Sequence, residues 1–196
     1  TGANGVSGQF VLAASADASD PSTSDLRGKI VVGGDNDPAF EQRSVYERIV
    51  ELEAAGAAGL VLRRTDSLGA INVLNAYRIG KPFSLPVLQV SGPESMSLSD
   101  AARAGESGTL TVDAVREPAT AMNVVATLPG NDPDAAPMAI MTPRSGWFIC
   151  ASERGGGIAI WLGLAQVISA MPSRRRTVHM VASSGHEINH YGLQAF

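Results

Sequence analysis

The stretch Thr177-Val178-His179-Met180-Val181-Ala182-Ser183-Ser184-Gly185-His186-Glu187-Ile188-Asn189-His190 decides how this chain is read. Its first half, residues 177–182, is an apolar, β-branched run with the pattern of a buried strand. The run empties through Ser183-Ser184-Gly185 into a group of titratable side chains. Open α/β sheets place their ligands at the carboxyl ends of strands, so the polar half is the candidate site. The spacing His186-Glu187-x-x-His190 predicts two imidazoles on one helical face with a carboxylate beside them, a donor set suited to a metal ion. No third ligand follows in the six residues after His190.

Working outward, 196 residues are enough for one large domain or two small ones. A net charge of −4 and a pI near 5.3 argue against nucleic acid as the main partner, because no broad basic field exists to displace counterions. The one basic run, Arg174-Arg175-Arg176, lies between a helix pattern and a strand and reads as a solvated turn. Cys150 is the only cysteine, so an intrachain disulfide is impossible and the redox compartment stays open. In its apolar surroundings it reads as a small hydrophobe rather than a nucleophile. The most apolar segment, residues 158–170, is shorter than the ~20 residues a bilayer span needs and reads as a core helix.

The first 116 residues alternate strand and helix patterns. Phe10-Val11-Leu12-Ala13-Ala14 and Gly28-Lys29-Ile30-Val31-Val32-Gly33-Gly34 read as strands. Asp37-Pro38 offers a helix entry, with Ser44 and Glu47 ready to form a capping box if the helix begins later. Val45, Ile49 and Leu52 then recur at helical spacing before the small residues Ala54-Ala55-Gly56-Ala57-Ala58-Gly59 and a strand at Leu60-Val61-Leu62. Residues 63–84 read mostly as loop. A strand at residues 85–91, a helix over residues 93–104 stopped by Gly105, and a half-exposed strand through Leu110, Val112 and Ala114 complete the segment.

Gly28-Lys29-Ile30-Val31, the helix with Tyr46 leading into Ala55-Gly56-Ala57-Ala58-Gly59-Leu60-Val61, and Leu85-Pro86-Val87 together resemble a protease-associated domain. The resemblance implies a β-rich α/β module over residues 1–116, without catalytic residues, serving as a lid, a substrate-access element or an interaction surface. Glu117-Pro118-Ala119 begins a linker over residues 117–122.

Residues 123–196 open a three-layer α/β/α sheet: a strand at 123–128, a second at 138–141, a helix over 156–171, and the strand from Thr177. Asn123-Val124-Val125-Ala126-Thr127-Leu128-Pro129-Gly130, the glycine-rich helix entry, and Gly185-His186-Glu187 before Tyr191-Gly192-Leu193 resemble the N-terminal part of the di-zinc aminopeptidases, a family of zinc exopeptidases. The resemblance implies a metal-dependent hydrolase of peptide or amide bonds with zinc as cofactor. In that family the second strand ends in His-x-Asp, the helix entry supplies a bridging Asp, and the third strand ends in Gly-Glu-Glu. Here Thr142 and Arg144 stand at the His and Asp, Glu153 falls near the bridging Asp, His186 takes the general-base position, and Glu187 matches the ligand Glu.

The departures leave three arrangements open. One is a rebuilt single-metal site using His186, His190 and Glu153 or a ligand beyond Phe196, with Glu187 as general base, or with Glu187 on the metal and His186 as base. Another is a metal-free site in which Arg144 pairs with Glu153 or Glu187 and its planar fork holds an anionic ligand. The third is a pseudoenzyme, a binding protein that keeps the scaffold. Ser145 and Trp147 lie beside Arg144 as substrate-binding candidates. Ser145, Ser183 and Ser184 lack a Gly-x-Ser-x-Gly elbow, so loop hydrogen bonding is their expected use. His179, within the strand, reads as a satisfied core or interface histidine. Phe196 falls inside a helical pattern, so the sequence reads as one piece of a longer chain. An unpaired sheet edge would then seek the remainder of the catalytic domain or a second copy. Both resemblances lean toward a secreted or periplasmic protein.

Overall fold

The computed structural model describes residues 5–13, 26–34, 44–63, 82–115, 117–146 and 149–196. These fall into two compact units that divide between residues 115 and 117, and the fold is mixed α/β with a separate sheet in each. Among the described residues no helix is long and apolar enough to cross a membrane.

The first unit is built on five strands: β1 (Val6–Leu12), β2 (Ile30–Gly34), β3 (Gly59–Arg63), β4 (Val87–Val90) and β5 (Ser107–Leu110), in the order β4-β3-β2-β1-β5. β1 to β4 are mutually parallel, and β5 pairs antiparallel with β1. Every residue of β2 is buried, as a central parallel strand covered on both faces requires. The pleat sends Val31 toward Ile49 and Leu52 of helix α1 (Val45–Ala54), and Ile30 and Val32 toward Leu98 and Ala102 of helix α2 (Gly92–Ala104). The unit is therefore a sheet between two helices.

Each helix starts and stops on a local signal. The Ser44 hydroxyl accepts from the Glu47 backbone N–H while the Glu47 carboxylate accepts from the Ser44 N–H, which closes a capping box at the start of α1. The alternative entry at Asp37-Pro38 lies outside the described residues, as do 64–81 of the expected loop. α2 has a proline in its first turn and ends on Gly105 in the left-handed region. The strand expected through Leu110, Val112 and Ala114 is displaced: β5 ends at Leu110, because its partner β1 begins at Val6, opposite Leu110. Val112 still packs against the core beyond the ladder.

The second unit carries β6 (Val124–Leu128), β7 (Met138–Pro143) and β8 (Val178–Ser183) in the order β6-β8-β7. β8 is central, antiparallel to β6 and parallel to β7. Helix α3 (Gly156–Ser169) lies on one face, where Trp161, Ala165 and Ile168 meet Met180, Ala182 and Ile140. The Trp161 indole N–H donates to the Ile140 carbonyl at 3.1 Å, fixing the helix on β7.

Two expectations are corrected in this unit. α3 is buried on one stripe only: Ile160, Leu162 and Val167 are exposed, because the described residues place a sheet against one side of it. The arginine run is more than a solvated turn. Arg174 donates to the Pro129 and Ile168 carbonyls, Arg175 to Asp132, and Arg176 to the Ala136 carbonyl, so the three tie together the loops at that end of the sheet. His179 behaves as the strand pattern predicts, sharing a hydrogen bond with Thr127 and meeting Phe196 edge-on.

Candidate functional site

β7 and β8 run parallel, so their carboxyl ends open on the same edge, and the ladder continues one step further through the Arg144 N–H to the Ser183 carbonyl at 2.8 Å. This register sets Arg144 and Ser145 beside residues 184–187. Gly185 turns the chain with φ 72°, a conformation costly for any residue with a Cβ. The backbone then makes a single 3-10 turn, His186–Ile188.

The predicted α-helical face is therefore not formed. Asn189 and His190 both take left-handed backbone conformations, and α4 (Tyr191–Gln194) begins only after them. His186 and His190 are neighbours by a different route, edge to face with ring centroids 4.4 Å apart.

A clamp from β6 holds this corner. Asn123, just before β6, accepts from the Ser184 N–H at 2.9 Å and donates to the Gly192 carbonyl at 2.7 Å. Because β6 is antiparallel to β8, its first residue lies at the same edge as the last residues of β8. Arg144 donates through Nη1 to the Met122 carbonyl and to Ser184 Oγ. It makes no ion pair with Glu153 or Glu187, the pairing that the metal-free arrangement, one of the three left open, would require.

Arg154 makes those pairs instead. It sits on a π-helical turn, Ala151–Gly155, that leads into α3, and π turns inside helices recur at functional sites. Its Nε donates to the Ser145 carbonyl at 2.6 Å, Nη2 donates to both Glu187 Oε1 and His186 Nδ1 at 2.7 Å, and Nη1 forms an ion pair with Glu153 Oε1 at 2.8 Å. All three nitrogens of one guanidinium are used. Since arginine can only donate, His186 Nδ1 is the acceptor in this contact. Ser145 Oγ donates to Glu187 Oε2 at 2.7 Å and accepts from the His186 N–H at 3.2 Å. Ser145 thus serves as the loop hydrogen-bonder its sequence context predicts.

The electrostatics follow from this geometry. Burial alone would push the Glu187 carboxyl up. Hydrogen bonds from Arg154, from Ser145 and from its own backbone N–H, together with the arginine charge, outweigh burial and hold the group down at about 2. Burial of Arg154 works against its charge, yet the bond to Glu187 and the charges of Glu153 and Glu187 raise its pKa above the ordinary value.

Cys150 completes the surroundings. Its Sγ donates to Glu153 Oε2 at 3.0 Å, and its backbone is left-handed with φ 47°. Among the described residues, the three non-glycine residues with positive φ are Cys150, Asn189 and His190, all in the two segments that frame Arg154. Backbone conformations of this kind cost about 1–3 kcal/mol and gather at functional sites.

Of the candidate residues, Glu153, His186, Glu187 and Ser145 come together around Arg154. Arg144 stands on the adjoining clamp, His190 meets His186 through its ring and through a backbone bond to the His186 carbonyl, and Trp147 lies outside the described residues. Ligand atoms of Glu153, His186 and Glu187 all lie within 4.8 Å of one another. One imidazole and two carboxylates suit zinc by donor type. The separation of His186 Nδ1 from Glu187 Oε1, 3.4 Å, also suits it, because two ligands on a tetrahedral zinc at ~2.0–2.1 Å stand about 3.3 Å apart.

Arg154 is the member of the site that the sequence reading missed. The signal was its position: a cation opening a long apolar helix faces the positive end of the helix dipole, so it must be held by nearby carboxylates.

No family model matches the sequence, and no curated protein matches it. Among solved structures it is similar to an aminopeptidase from Aneurinibacillus sp. strain AM-1, with a TM-score of 0.62 and 18% sequence identity. The match covers 97% of this chain and 46% of that one, so the chain spans about half the length of its structural neighbour. In fold, this chain is an aminopeptidase-like α/β protein.

Proposed function

We propose that the protein is a metal-dependent hydrolase of peptide or amide bonds, with unit 1 as a protease-associated module that controls access or binds partners. The observation that carries this reading is the meeting of Glu153, His186 and Glu187 at the carboxyl ends of the parallel strands β7 and β8 in an aminopeptidase-like fold. These three residues would hold a zinc ion, which supplies a Lewis acid and an activated water at neutral pH. Glu187 stays ionised far below neutral pH, and Ser145 keeps its second oxygen oriented. Arg144 uses only Nη1 among the described residues, which leaves the rest of its fork for a substrate carbonyl or carboxylate.

One observation favours a second reading, a non-catalytic binding protein on the same scaffold: Arg154 already bonds to His186 and Glu187 and pairs with Glu153, the three residues a metal would need. Release of p-nitroaniline from a panel of aminoacyl p-nitroanilides, by zinc-loaded protein, chelated protein and Glu187→Gln, separates the two. Turnover that disappears on chelation and in the variant supports the hydrolase. Inert protein under every metal condition overturns it in favour of the binding reading.

A further inference from the structure

The site holds its own cation. Three side chains from two elements close on one guanidinium: His186 and Glu187, after β8, accept from it, and Glu153, on the π turn, pairs with it. The Nη2 nitrogen of Arg154 stands 2.7 Å from both His186 Nδ1 and Glu187 Oε1, the apex of the pair whose 3.4 Å separation matches two zinc ligands. The Nδ1 lone pair of His186 is the one a metal at that apex would need, and the arginine has it. Arg154 is also well buried, with 10% of its side chain exposed, so it is a packed member of the site.

We propose that Arg154 and a divalent metal ion compete for Glu153, His186 and Glu187, so that the metal-bound and arginine-bound forms of this site are alternatives. The inference rests on the reading of these three residues as metal ligands. Charge requires the exclusion as much as geometry does. Two carboxylates and a neutral imidazole balance a divalent ion completely, so a guanidinium left among them would face a like charge with its two carboxylate partners already neutralised, at the positive end of α3. Withdrawal of Arg154 also frees the Ser145 carbonyl, which accepts from Nε at 2.6 Å, so the loop after β7 is coupled to which cation is present.

The test is metal affinity, measured for wild type, Arg154→Ala and Arg154→Ala/Glu187→Gln by calorimetric zinc titration and by the visible absorption of bound cobalt(II). Removing the competing cation should tighten zinc binding by about ten- to a hundredfold, the usual range for coupled sites. Glu187→Gln in the same background should abolish the gain. Methylguanidinium added to Arg154→Ala should weaken zinc binding in a competitive, concentration-dependent way, which a purely structural arginine would not produce. Arg154→Met, which keeps the aliphatic stem, replaces the alanine variant if the latter fails to fold. Zinc binding no tighter without the guanidinium than with it, at any affinity including none, overturns the proposal. The hydrolase reading is judged separately by turnover: an inert protein with the predicted affinity gain sinks that reading and leaves the competition standing.

Discussion

Replacing Glu187 by Gln should remove a specific acid-dependent component from the stability of the second unit. The carboxyl is held at about 2 against an ordinary value of 4.5 by bonds from Arg154 and Ser145, and it is 7% exposed. A drop of that size corresponds to roughly 3 kcal/mol of preference for the folded state when the group is ionised. Because the folded-state pKa is depressed, the contribution is complete above about pH 4.5 and is lost as pH falls toward 2. The assay is urea unfolding of chelated protein, followed by tryptophan fluorescence. The two tryptophans, Trp147 and Trp161, both belong to the second unit, so the signal reports that unit by itself. The stability difference between wild type and Glu187→Gln should be constant from pH 7 to 5. It should then narrow by roughly 3 kcal/mol between pH 4.5 and 2. Other carboxylates titrate in both proteins and drop out of the difference. Parallel stability profiles for the two proteins across that window would refute the reasoning.

Two further substitutions probe the frame around the site. Asn123→Ala removes one bond to the Ser184 N–H and one to the Gly192 carbonyl, and should lower the stability of the second unit by about 2 kcal/mol in the same fluorescence assay. Gly146→Ala would place a Cβ 2.8 Å from both Cβ and Sγ of Cys150 and 3.3 Å from Cγ of Arg154. It should cost about 1–3 kcal/mol and speed reaction of the Cys150 thiol with a disulfide reagent as Sγ is pushed off Glu153; unchanged stability and labelling rate would show that the loop yields freely.

Much of the fold was legible because its strands are short, apolar runs that end in glycine, serine or other turn-forming residues. Ile30 to Val32 and Val178 to Ala182 are fully specified by that pattern, and Ser44 with Glu47 announces the start of α1 as plainly as the structure shows it. The failures have physical causes in partners that a single stretch does not reveal. Alternation through Leu110, Val112 and Ala114 suits a strand, but the ladder stops where β1 stops. The His186-Glu187-x-x-His190 spacing suits a helix, but left-handed Asn189 and His190 break it into a 3-10 turn and a separate short helix. The pattern in each case gave a local preference that a neighbour or a backbone constraint overrode.

The site was half legible for a related reason. Acidic residues and imidazoles at a strand end attract attention because they are metal ligands, and Glu153, His186 and Glu187 do converge. Arg144 drew attention as a cation placed where a carboxylate belongs in the resembling family. Register decides otherwise: Arg144 leaves β7 toward the Met122 carbonyl and Ser184, while the π turn brings Arg154 to the Ser145 carbonyl and Glu187. The extra residue of a π turn shifts which side chains face the sheet, and three-and-a-half-residue bookkeeping along the sequence has no term for it. What can be read in advance is the electrostatic anomaly. An arginine at the amino end of a helix whose next fifteen residues carry no charge is unfavourable alone, and becomes favourable only if carboxylates from elsewhere in the chain close on it. The anomaly therefore predicts an ion-pair network at that helix end, and the two glutamates that satisfy it are the same two that the proposed metal ion would claim.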